Sequence, residues 1–180
     1  MKRTEHICLM AEYNKWMNAK LYEAAMTLSD EELAANRKAF FGSIIGALNH
    51  LVVADTVWLK RFATHPANYS ALEFVKILPM PISLDQLLFT DIRSLSAHRK
   101  ELDQIIKDWA HSISEEDLDY VMAYSNMKGI AANKIYFSLV MHFFNHQTHH
   151  RGQATTLLSQ ADVDVGITDL LAIVPNEPTI

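Results

Sequence analysis

The chain has 180 residues, 49% of them hydrophobic and 21% charged, with a net charge of −5. That balance suits one globular domain and excludes a broad nucleic-acid footprint, which needs a basic surface. One cysteine, Cys8, excludes a disulfide framework or a multi-cysteine metal site and suits a reducing cytoplasm.

Apolar residues recur at three- and four-residue steps from Glu5 to about Thr27: Ile7, Met10, Met17 and Leu21 mark a first long helix. The basic residues before it are not followed by an apolar run, so no signal peptide is read. Ser29-Asp-Glu-Glu reads as a capping box opening a short turn. A second long helix runs from Gly42 or Ser43 to about Thr64, with Ile44, Leu48, Leu51, Asp55, Trp58 and Phe62 as its stripe; His65-Pro66 closes it. Residues 65 to 83 hold three of the five prolines and read as a long connection. Ser83-Leu-Asp-Gln86 is expected to cap a third long helix reaching Ala110, with Leu84, Leu87 or Leu88, Ile92, Leu95, Leu102, Ile105 and Trp109 inward. Ser114 opens another capping signature. Tyr120–Tyr124 and Gly129–Ala131 predict a short β-hairpin, Gly129 serving its turn. A fourth long helix is expected from near Asn133 to about Ser159. The tail from Asp162 to Ile180 should lie on the same domain through Leu170, Leu171, Ile173 and Val174. No apolar run of membrane-spanning length occurs.

The expected fold is therefore all-α: an antiparallel four-helix bundle over residues 1–161, with long connections and a short β-hairpin before the last helix, and a packed tail over 162–180.

The fourth helix carries His142, His146, His149 and His150, four of the nine histidines, on a face that should meet the core. Buried ring nitrogens need partners. Hydrogen-bonded core histidines and a metal ion both answer that need. His146 and His150, one turn apart, can reach one ion, and His50 on the second helix is the candidate third ligand, with Ala47 and Ala54 leaving room. His6, His65, His98 and His111 read as exposed histidines near helix ends or in polar surroundings. Asp55 is expected to bond Tyr13, Trp16 or Asn18 on the first helix, or else to serve the metal; His142 and Gln153 are further candidates to support it. Arg151 suits a salt bridge between helices or subunits, Gly152 a close helix contact, and the aromatics Trp16, Trp58, Trp109, Phe143 and Phe144 the core.

The stretch Asn145-His146-Gln-Thr-His149-His150-Arg151-Gly152-Gln153 resembles the last-helix signature of the DinB/YfiT-like family. Tyr13-Asn14-Lys-Trp16-Met-Asn18 is similar to the family's first-helix motif. Asn49-His50-Leu51, with Asp55 and Trp58, is similar to its second-helix motif. The resemblance covers residues 1 to about 160. It implies a four-helix bundle, commonly dimeric, with one divalent ion, zinc or nickel, held by His50, His146 and His150. It further implies a cytoplasmic metal-dependent enzyme acting on a small molecule, since relatives include transferases using low-molecular-weight thiols and a maleylpyruvate isomerase. Hydrolysis and thiol transfer both remain open, as does a non-catalytic, metal-stabilised or metal-sensing helical dimer. The base is also open among His142, Asp55 and a metal-bound hydroxide. Neither nucleic acid nor membrane is expected as a partner.

Overall fold

A computed structural model describes residues 2–176. Its elements, in chain order, are α1 (Arg3–Ala25), α2 (Asp30–Ala34), α3 (Ile44–Phe62), α4 (Glu73–Ile77), α5 (Ile92–Ser112), β1 (Val121–Ser125), β2 (Ala131–Ile135) and α6 (Tyr136–Ser159). The protein is mostly helical, with one small two-stranded antiparallel sheet. α1 packs along α5 and α6, and α3 packs along α6 and α5. No helix among the described residues is long and apolar enough to cross a membrane.

Local chemistry sets the boundaries. Ser29 closes a full capping box on α2 with Glu32, and the Ser43 hydroxyl accepts from Gly46 N at 3.1 Å to start α3. α3 is apolar almost all round and is buried along nearly its whole length, so it is the helix the others cover. The core's largest side chains come together at one end of it. Phe62 stacks on Trp109 with centroids 5.0 Å apart and meets Tyr136 and Phe143 edge-on. The Trp109 indole N–H donates to the Tyr136 hydroxyl at 3.0 Å, so burial leaves neither polar tip unpaired.

The third long helix starts later than its sequence suggests. α5 begins at Ile92, where the Asp91 carboxylate accepts from Arg93 N and Ser94 N. Residues 83–90 instead run as a strap over α3, and Leu84 and Leu87 are exposed. The reason is competition for backbone groups. Asn49 Oδ1 accepts from Leu88 N and Phe89 N, its Nδ2 donates to Phe89 O, and His50 Nδ1 meets Leu84 O at 2.8 Å. A helical turn there would need the same groups. Gln86 likewise spends its side chain on Ile82 N rather than on a cap.

The connection before the strap is less irregular than expected, holding a 3-10 turn at Ser70–Leu72 and α4. The hairpin forms with Val121 opposite Ile135 and Ser125 opposite Ala131, and Gly129 takes a φ of +77° in its turn. α6 therefore starts at Tyr136, not Asn133: Asn133 pairs in the sheet, and Tyr136 N donates to Tyr120 O across the hairpin base. After α6, Tyr13 donates its hydroxyl to Thr168 O at 2.6 Å and Lys20 reaches Ile167 O. Val165 is buried, whereas Leu171 is 80% exposed rather than packed. Positions 177–180 of the expected tail lie outside the described residues.

Candidate metal centre

α3 and α6 lie side by side, and the Asn49-His50 pair faces the strap and α6 together. His50 is 2% exposed. Its Nδ1 is committed to the Leu84 carbonyl, so it carries the proton there and turns Nε2 inward as a lone pair. That buried Nε2 has no partner. His146 and His150, one turn apart on α6, bring their rings to it, with centroids 5.3 and 4.3 Å from His50 and 4.3 Å from each other. One ligand atom from each of the three lies within 4.8 Å of the others. His150 Nδ1 is held by Gln153 Oε1 at 2.8 Å, which turns its Nε2 inward in the same way.

The electrostatics keep all three rings neutral. Burial pushes His50 down to about 4 and His146 down to about 3, the neighbouring histidines adding to the second shift; burial also lowers His150. Neutral imidazoles with converging lone pairs are metal ligands in their binding form. Three such lone pairs repel and have no donor between them. The residues present therefore fit a divalent cation.

Phe41 covers the group. Its ring stacks on His50 at 3.8 Å between centroids and meets His150 edge-on. Gly46 makes that position possible, because a Cβ at 46 would sit 2.2 Å from the Phe41 carbonyl oxygen. No periodicity flags Phe41; the one local sign is a glycine three residues after the Ser43 cap.

The other histidines divide. His142 is exposed, packs edge-on to Trp58 and lies 5.8 Å from His146 between centroids. It lines a cleft of 420 Å³ that opens onto His146 and is walled by Trp58, Arg61, Leu84 and the hairpin tip. Trp58 thus belongs to the cleft as well as to the core edge. His149 is exposed, meets the His150 ring edge-on at 4.8 Å between centroids and contacts the Gln153 amide. His65, expected at the surface, is 3% exposed, because Tyr69, Tyr120 and Tyr136 close around it.

Asp55 reaches neither the histidines nor α1. It takes Arg99 Nη1 at 2.6 Å and the Gln147 amide, both buried. Arg99 Nη2 lies 3.0 Å from Asp103, which also accepts from Asn14 and Asn18. Arg151 forms no salt bridge among the described residues; its guanidinium donates to Asn14 and lies over the Tyr13 ring. Gly152 faces open space and eases no helix contact.

The profile of the DinB family matches residues 1–177. The chain is also similar to Protein DinB of Bacillus subtilis (strain 168), with 23% identity over 167 residues, covering 88% of this chain and 87% of that protein. No solved structure gives a significant match.

Proposed function

The chain belongs to the DinB family, and from that premise and the histidine group we propose a metal-dependent enzyme acting on a small molecule. His50, His146 and His150 would hold one divalent ion, with zinc or nickel matching an all-imidazole set. The observation that carries this reading is the buried, unpartnered Nε2 of His50, aimed at two further neutral imidazoles. Three histidines leave room for a further ligand, the arrangement typical of catalytic rather than structural zinc. When bound, such an ion supplies Lewis acidity, polarising a carbonyl or acidifying a thiol or water.

The protein's own groups have separable tasks. The Leu84 carbonyl and Gln153 fix the tautomers of His50 and His150. Phe41 shields that side of the group from water. His142, lowered from its ordinary value by partial desolvation against the cleft wall and by Arg61, can accept a proton from a group bound in the cleft. Thiol-dependent transfer and hydrolysis both suit these parts. We further propose that the four long helices form an antiparallel bundle whose domain includes the tail, and that the protein works as a cytoplasmic homodimer.

Cobalt-substituted protein tests the reaction class. Adding 2-mercaptoethanol should produce thiolate-to-cobalt charge-transfer bands if the site receives a thiol. An unchanged spectrum with thiol, but a changed one with azide, points to hydrolysis. A spectrum indifferent to both describes a closed, structural ion and overturns the enzyme reading.

A further inference from the structure

The cleft beside the histidine group holds a charge that no described residue answers. Its lining includes two cations, Arg61 and Lys128, and no carboxylate, in a chain whose net charge is −5. The Arg61 guanidinium lies 4.6 Å from the Trp58 ring centroid and 5.3 Å from that of Tyr124. The two rings lie 5.5 Å from each other, so they pack beside the guanidinium rather than sandwiching it, and neither contact uses its N–H donors, which can grip a carboxylate through two parallel hydrogen bonds. Among the described residues no carboxylate pairs with Arg61. Arg3, Arg99 and Lys107, by contrast, each pair with a carboxylate.

Apart from Asn126 and the two histidines, the rest of the wall is apolar. Ala54, Val57, Leu84 and Ile130 line it between Arg61 and His146. A volume of 420 Å³ falls within the range of small-molecule sites, roughly 300–1,000 Å³. Trp58 connects the two ends, meeting Arg61 on one side and His142 on the other.

We propose that this cleft binds a small organic carboxylate with an apolar body. The carboxylate sits on the N–H edge of Arg61, Lys128 adds charge at the hairpin tip, and the body runs along Trp58 toward His146. The inference deepens the metal-enzyme reading, on which it rests for what happens at the His146 end. Arg61 is then a specificity-determining residue: it selects anions and fixes which end of the molecule faces the histidines.

Calorimetric titration with 1-naphthoate and with the neutral 1-naphthalenemethanol tests the idea, on protein as purified and after chelator treatment. Naphthoate should bind more tightly than the alcohol. Arg61→Gln should weaken naphthoate by about tenfold or more, the scale of a lost charge-assisted pair, and leave the alcohol within about twofold. Lys128→Gln, at an exposed position, should weaken naphthoate by a smaller factor. Chelation should leave the Arg61 dependence intact. Equal binding of the two probes, no binding of naphthoate, or an Arg61→Gln variant that is folded and unaffected each overturns the proposal. So does naphthoate binding that disappears on chelation and ignores Arg61, which assigns the carboxylate to the metal. Failure to bind metal with Arg61-dependent binding retained would sink the metal reading alone.

Discussion

Neighbouring residues of α6 serve two buried polar clusters that are completed in opposite ways. His146 and His150 face His50; Gln147 and Arg151, one position further on, face a network with Asp55, Arg99, Asp103 and Asn14. The network balances its charges internally, although Asn18 Oδ1, Gln147 Oε1 and Arg99 Nε and Nη2 make no hydrogen bond. Two carboxylates and two guanidiniums balance, each side chain is at most 3% exposed, and amides from Asn14, Asn18 and Gln147 donate to the carboxylates or accept from Arg151. The histidine group has the unpartnered His50 Nε2 at its centre, and no cation among the described residues completes it. A charge-balanced network adds to folding specificity at the cost of desolvation. An open one is stored binding capacity for a cation.

The comparison makes opposite predictions for the two sides. Arg99→Met leaves Asp55 and Asp103 buried without their cation and should cost about 3–5 kcal/mol of stability. Urea denaturation would show it as a lower midpoint at unchanged slope. Metal content should stay at the wild-type level, because Arg99 does not touch the histidines.

Zinc at about one hundred times its dissociation constant should stabilise the wild-type fold by about 2.7 kcal/mol. Arg99→Met should gain the same increment from its lower baseline, and His146→Ala should gain none. Thermal melts with and without zinc separate the three cases.

The two clusters should also titrate with opposite signs. In the metal-free protein, burial holds His50 near 4 and His146 near 3, against about 6.5 unfolded. Below 6.5 the unfolded chain binds more of these protons, so the histidines' contribution to stability falls as pH drops toward 4. Burial pushes the Asp55 carboxyl up to about 6, against the pull of Arg99, so its contribution runs the other way between 4 and 6. Melting temperatures of metal-free wild type and His146→Ala, compared across that range, cancel the aspartate. The wild type should lose more stability on acidification; equal losses would contradict the neutral, buried His146.

How much of this could be read from the chain follows from the range of each interaction. The periodic faces of α1, α3 and α6, the Ser29 and Ser43 caps and the hairpin turn are local, and all are legible. So is the His146–His150 pair, whose members share one helical face. The strap is not, because Ser83–Gln86 carries a local capping pattern while the groups that decide its path, on Asn49 and His50, lie more than thirty residues away. Asp55 marks a buried carboxylate in an apolar stripe, but nothing in sequence selects Arg99, 44 positions on, as its partner. His65 looks like an exposed helix-end histidine until tyrosines from the hairpin and α6 close over it. The motif residues themselves split: Asn14, Asn18, Asp55 and Arg151, which carry much of the family resemblance, build the charge-balanced network rather than the histidine site.

The smallest expected effect lies at Gly152, between the two faces. A Cβ there meets nothing within 4 Å, and the residue is exposed in mid-helix. Gly152→Ala should therefore stabilise by up to about 1 kcal/mol through helix propensity alone. A destabilised variant in the same denaturation assay would show that a partner surface packs against this position.

Metal stoichiometry of the purified protein tests the central claim most directly. Wild type loaded with zinc or nickel and desalted should retain a single ion per chain by elemental analysis, and His50→Ala, His146→Ala and His150→Ala should each lose it while remaining folded. Full occupancy in His146→Ala, or no retention in the wild type, would contradict the assignment of the histidine group as a metal centre.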